Sequence, residues 1–282
     1  MSVAAVLTLA APLLWAAMAE LLGERAGVLN IGMEGVLLLA CLAAALGAAA
    51  GGPWWGLLWA VGAGVAANLV FAAVVALGAD QVVAGTGMVL AGAGLSGTIF
   101  RHLQARGFTG ALVPTLDWGV LELGALALVP ALWWFLFRTR GGLLVRACGE
   151  NPDAAAAAGV SPVLVRTLVL AAAGGLVGVG GAALVLRASG SFVEGMTAGR
   201  GFLALALVLL GRWRPFPVAA GTLLVGAATA WQFHLQGLGT AGMPYHLLLA
   251  LPYLLTLAVL ALLPPASGRA PAALALPWRR QR

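Results

Sequence analysis

"RACGENPDAAAAAGVSP", residues 146–162, is the stretch on which the reading of the chain turns. On either side the sequence is almost solid Leu, Val, Ala and Gly; here it carries Arg146, Glu150, Asn151 and Asp153, then five alanines, then Gly159 and Pro162. Asn151 is a good N-cap, Pro152 suits the first helical position, and Asp153 complements the positive end of the helix dipole. The run from Ala154 to Ala158 has the best intrinsic helix propensity, Gly159 is a natural stop, and Pro162 blocks continuation. The stretch predicts a helix over about 150–160, roughly two turns and 10 Å long. So short a helix is marginal in water. It must dock, either on a partner that receives the smooth alanine face or on its own protein.

The surroundings set the class. Of 282 residues 62% are hydrophobic and 9% charged, with mean hydropathy +1.03, against about 25% charged in soluble domains. This is the composition of an all-α polytopic membrane protein in a lipid bilayer. Nine apolar segments stand out: 3–22, 27–50, 54–78, 82–100, 118–137, 164–187, 200–211, 217–235 and 245–263. The seventh is short for a crossing and reads as a half-helix or as one that starts earlier. We expect about 8–10 transmembrane helices in a domain spanning 1–264, followed by a basic, loosely ordered cytoplasmic tail, 265–282.

Net charge is +6, and all 15 basic residues are Arg. No basic stripe with interleaved aromatics exists on a polar surface, so nucleic acid is not an expected partner. A phosphate loop needs a Lys, and the chain has none; it does not hydrolyse ATP by that route. Cys41 and Cys148 have no CxxC spacing and suggest neither a disulfide nor a metal site. With the 138–163 loop in the cytoplasm, eleven Arg fall inside and four outside, as the positive-inside rule asks. Nine crossings then place the N-terminus outside and the C-terminus in the cytoplasm. Trp54, Trp55, Trp133, Trp134 and Trp213 fall at helix ends, where interfacial anchoring is the expected role, and "GRWRPFP" (211–217) reads as a headgroup contact. Gly174, Gly178 and Gly181 read as close helix packing, with a dimer as one setting.

Three blocks carry a resemblance to a known family. "GERAGVLNIGMEG" (23–35) resembles the glycine-rich entry to the second helix of nucleoside-type permeases. "GENPDAAAAAGVSP" (149–162) resembles the coupling loop of permease subunits in ATP-binding-cassette (ABC) importers. "GRGFLALALVLLGRWRPFPVAAGTLLVGA" (199–227) resembles their later helix pair. The family handles branched-chain amino acids, simple sugars and nucleosides; the likeness is greatest to the nucleoside subgroup associated with basic membrane lipoproteins. It implies an inner-membrane transport subunit with no cofactor of its own, ATP being bound by two partner ATPases. It also implies a related second permease, giving a heterodimer, and an extracytoplasmic substrate-binding lipoprotein. By this resemblance Glu150, Asn151, Pro152, Asp153, Ala155, Ala156 and Gly159 are the ATPase-coupling residues, and Glu194, in the outer loop 188–199, is a docking charge for the binding protein. A solvated loop residue is the plain alternative for Glu194.

Polar residues inside apolar runs are the candidate pathway: Asn30, Glu34, Asn68 and Gln81. An ionised acid at the centre of a lipid-facing helix costs about 3 kcal/mol, so Glu34 should face protein or a watery path, or hold a proton. With Gly27, Gly32 and Gly35 nearby, a broken second helix is expected, with Asn30 and Glu34 turned inward. The alternative is that Glu34 hydrogen-bonds a neighbouring helix and fixes the fold. The paucity of charge suits a neutral polar solute such as a nucleoside. A stand-alone secondary transporter is the competing class. A remoter one is an intramembrane serine protease, from "GLSG" (94–97), for which Ser96 would need His102 or His246 within reach.

Overall fold

The computed structural model describes residues 2–237 except 109, 111–113 and 118, and then residues 250, 254, 258 and 270–277. Among these there is no strand. The elements are α1 (Val3–Arg25), α2 (Met33–Gly51), α3 (Pro53–Ala76), α4 (Gln81–Gln104), α5 (Val120–Arg138), α6 (Arg140–Glu150), α7 (Pro152–Ala157), α8 (Pro162–Ala183), α9 (Arg200–Leu210) and α10 (Pro215–Gly237). A π-helical turn, Leu184–Ser189, extends α8. Among the described residues seven helices are long and apolar enough to cross a membrane: α1–α5, α8 with its π turn, and α10. The seventh expected segment is α9, whose 11 residues reach only about 16 Å; it is a half-helix. The ninth, 245–263, lies almost wholly outside the described residues.

Side-chain contacts sort the bundle into two ends. At the elbow end lie Arg25, Gln81, Gly149, Arg166 and Trp213, tied together directly or through the 26–32 link and residues 273–276. At the loop end Thr8 meets Glu122 and Arg101 meets Glu194. The chain alternates between these ends through α1, α3, α4, α5, α8 and α10. Two pieces depart from that alternation. After α1 the backbone leaves the helix over residues 26–32 and folds back along α1, Val28 N–H bonding the Gly23 carbonyl and Asn30 N–H the Glu20 carboxylate. The expected break thus lies before the second helix, which starts at Met33 rather than residue 27. After the π turn, residues 190–199 re-enter the bundle, with Phe192 and Thr197 buried, and α9 starts from that depth.

Packing rests on backbone proximity, as it must where lipid tails are as apolar as the core. A Cβ on Gly174 would collide with the Gly64 carbonyl, and one on Gly178 would sit 2.5 Å from the Ala60 carbonyl. Gly174 and Gly178 are therefore spent on α3 of the same chain, and Gly181 on Ala40 and Cys41 of α2. Trp54, Trp55 and Trp134 are exposed, as interfacial anchors should be, but Trp213 is buried, so the anchoring role expected for it is replaced by an internal one. The tail departs from expectation too: residues 270–277 are docked, with Ala273 at 1% exposure, although five of its arginine-rich last residues, 278–282, lie outside the described set.

Candidate functional site

The elbow is built from two short helices. Thr139 caps α6, its hydroxyl accepting from Gly142 N–H at 3.1 Å. Asn151 ends α6 and begins α7, its Oδ1 accepting from Ala154 N–H at 3.0 Å. Pro152 is the first residue of α7, Gly159 sits at φ +84°, and Ser161 caps α8, with Pro162 in its first turn. The expected 150–160 helix is present but only six residues long. Ala155 is buried against the chain itself, while Glu150, Asn151, Asp153, Ala154, Ala157, Ala158 and Gly159 are exposed and Pro152 and Ala156 half-buried. The free face of the rod is thus formed by Asp153, Ala154, Ala157 and Ala158.

The foot of this rod is fused to the link between α1 and α2. Gly149 packs so closely on the Arg25 carbonyl that a Cβ would collide with it, and Gly27, at φ +82°, faces Gly149 Cα. Arg166, 1% exposed, donates from Nε to the Ala26 carbonyl at 3.0 Å and from Nη2 to the Cys148 carbonyl at 3.2 Å. Burial pushes the Cys148 thiol up from its ordinary value, with the Arg166 charge opposing. Beside it Trp213 donates Nε1–H to Glu24, and its carbonyl accepts both Nε and Nη2 of Arg25.

Three of the four candidate pathway residues meet on the same link. Asn30 Nδ2 donates to Asn68 Oδ1 at 3.0 Å, and Asn68 Nδ2 to the Leu170 carbonyl at 3.0 Å. Gln81 Oε1 accepts from Leu29 N–H at 2.8 Å. Glu34 stands apart, at the N-terminus of α9: its carboxylate accepts the Thr197 hydroxyl at 2.6 Å, Gly199 N–H at 2.8 Å and Gly201 N–H at 2.7 Å. A helix N-terminus is a ready anion site, and here the anion comes from the chain. At the loop end Glu194 pairs with Arg101 at 2.9 Å in an exposed position.

Four functional-looking groups stand outside the site candidates named from the sequence. Glu122, 1% exposed, accepts from Thr8, Arg187 and Gly119 N–H. Glu20 and Glu24 are both buried, their carboxyl groups facing each other across one helical turn of α1. Arg166 was counted only as a topogenic charge. An acid or Arg within an apolar run was the available signal; its partner, often more than 100 residues away, was not. Ser96 Oγ donates back to the Ala93 carbonyl at 3.2 Å. His102 is six residues further along the same helix, about 9 Å away, and His246 lies outside the described residues.

Residues 2–262 match the model of the family described as branched-chain amino acid transport system permease component. The chain belongs to this family. It is 35% identical over 252 residues, 81% of its length and 76% of the other's, to TsgC13 of Haloferax volcanii, provisionally named a glucose ABC transporter permease. It is 30% identical to the guanosine ABC transporter permease NupQ of Bacillus subtilis, covering 92% and 90% of the two chains. It is likewise 30% identical to the nucleoside ABC transporter permease NupC of Lactococcus lactis, covering 92% and 91%. No solved structure matches the chain significantly. As an ABC permease component it is a multi-pass transport subunit rather than an enzyme, and it works with ATP-binding partners and a substrate-binding protein.

Proposed function

We propose that this chain forms one permease half of an importer for a neutral, polar solute of the nucleoside class, moved by ATPases that grip α7. The observation carrying the reading is the continuity at the elbow. The exposed rod, its foot at Gly149, and the link that holds Asn30 and Gln81 form one hydrogen-bonded unit. A push on α7 therefore moves the link directly, and the polar groups of Asn30, Asn68 and Gln81 with it. These side chains are uncharged hydrogen-bonding groups suited to hydroxyls and base edges. The two nucleoside permeases that align over nine-tenths of the chain support the same class.

In this reading the elbow end faces the cytoplasm and the C-terminus lies there. The N-terminus and Glu194 face outward, where the binding lipoprotein docks, and the second permease is a related, non-identical chain in the cytoplasmic membrane. A simple sugar is the second reading, favoured by the higher identity to TsgC13. The test is ATP-dependent uptake into vesicles holding the complete transporter and its binding protein, with guanosine and glucose as competing labelled solutes. Guanosine uptake blocked by unlabelled uridine and not by glucose supports the nucleoside reading. Uptake of glucose alone overturns it in favour of the sugar, and uptake without ATPase subunits overturns both.

A further inference from the structure

The docked segment 270–277 has a place in this machine that the elbow alone does not explain. It is a short turn, Leu274 N–H bonding the Pro271 carbonyl and Leu276 N–H the Ala273 carbonyl, with Ala275 at φ +62°. At one end it is joined to the foot of α7. Ala273 N–H donates to the Gly149 carbonyl at 2.8 Å, Ala272 N–H reaches Glu150 Oε2 at 3.3 Å, and the Ala273 carbonyl lies 3.1 Å from where a Cβ on Gly27 would be. At its other end the Leu276 carbonyl accepts Gln81 Nε2 at 2.8 Å. Gln81 is the first residue of α4, a helix whose start is capped by Asp80 Oδ1 on Val82 and Val83 N–H.

The position of α4 gives these bonds their meaning. It is the least buried of the seven spans. It packs on α2 and more lightly on α3, and among the described residues it has no comparable packing on α6, α7 or α8. Its elbow end, around Val82 and Val83, is exposed. A movement of α7 reaches α1, α2 and α8 through the Gly149 contact and Arg166. It reaches the start of α4 at Gln81 by two routes, from Leu29 of the link to Gln81 Oε1 and through residues 273–276 to Gln81 Nε2.

We propose that residues 270–277 are a tie that makes α4 follow α7, so that the peripheral span moves with the motor-driven rod. This inference rests on α7 being the ATPase contact. The tie acts by position: its backbone sets the distance between the Gly149 foot and Gln81, and it touches no solute.

The test uses the complete transporter with spin labels on Val83→Cys of α4 and Leu143→Cys of α6, the helix that runs into α7 and lies outside its free face. Both native cysteines are buried, so the introduced thiols, both at exposed positions, take the labels. The distance between labels is measured without nucleotide and with ATP plus vanadate, in the otherwise intact chain, in a chain lacking residues 270–282, and in Ala273→Arg, whose side chain cannot fit between Gly27 and Gly149. The tie predicts one narrow distance in both nucleotide states for the intact chain. It predicts a second, nucleotide-dependent population in the two altered chains, with ATPase subunits still copurifying and uptake per ATP hydrolysed reduced by about tenfold, the effect of losing one or two net hydrogen bonds. Distances that ignore the alterations while the ATPases remain bound overturn the tie. So does loss of ATPase binding from both altered chains, because the segment would then only brace α7. Failure of the intact chain to bind ATPases would instead overturn the reading of α7 itself.

Discussion

The loop-end half of the bundle and its elbow half treat buried acids in opposite ways. Towards the loop end and the centre, Glu122 and Glu34 are each closed by three donors: Thr8, Arg187 and Gly119 N–H on one, Thr197, Gly199 N–H and Gly201 N–H on the other. Each joins elements far apart in sequence and leaves little freedom. Near the elbow, Glu20 and Glu24 lie one helical turn apart on α1 with their carboxyl groups facing each other, and each accepts a single donor from another element among the described residues, Asn30 N–H or Trp213 Nε1–H. An acid that meets another acid and one outside donor is held by fewer hydrogen bonds than one closed by three, so its arrangement is easier to change. The contrast separates a fixed half from a half that can be remade, and the rod, the link and the tie all belong to the second.

The contrast predicts an order of effects. Glu34→Ala strands a hydroxyl and two backbone N–H groups and should be the most destabilising, by about 3 kcal/mol or more. Its check is the thermal midpoint of the detergent-purified chain, and an unchanged midpoint would remove Glu34 as the clamp on α9. Glu122→Ala leaves the part-buried Arg187 without its carboxylate and should cost about 2–3 kcal/mol, below the loss for a fully buried pair because Arg187 keeps some solvent. Glu20→Gln should behave differently. Its amide keeps an acceptor for Asn30 N–H and supplies a permanent donor to the facing Glu24 carboxyl, so stability should hold or rise by up to about 1 kcal/mol while uptake falls, because the pair is no longer free to rearrange. A loss of stability as large as that of Glu34→Ala would erase the distinction between the two halves. Arg101→Ala breaks only an exposed ion pair and should change stability by less than about 1 kcal/mol; its readout is affinity for the binding protein.

The sequence disclosed what is written locally. Asn151, Pro152, Gly159 and Pro162 placed the ends of α7 within a few residues, because caps and stops act between near neighbours. The apolar runs placed seven spans, and the shortness of 200–211 exposed the half-helix. What the sequence concealed is distant pairing. Gly141 and Gly142 obscured α6, which is held by Thr139 and by packing on α5 and α8 rather than by propensity. Trp213 looked like an anchor because nothing nearby in sequence announced Glu24, 189 residues away. Glu34 was recognised as needing a partner, but Thr197 and the α9 N-terminus could not be named. The tail looked solvated from its prolines and arginines, and only the position of Gly149 and Gln81 beside it explains why 270–277 docks.

We place the ATPases on the exposed face of α7. The most direct test of that placement is ATPase copurification with a chain carrying Ala154→Arg and Ala157→Arg, which burden the free face while leaving buried Ala155 and the Asn151 cap untouched. The variant should enter the membrane at normal levels, keep its thermal midpoint, and lose its ATPase subunits. Undiminished copurification from that same well-folded variant would contradict the placement.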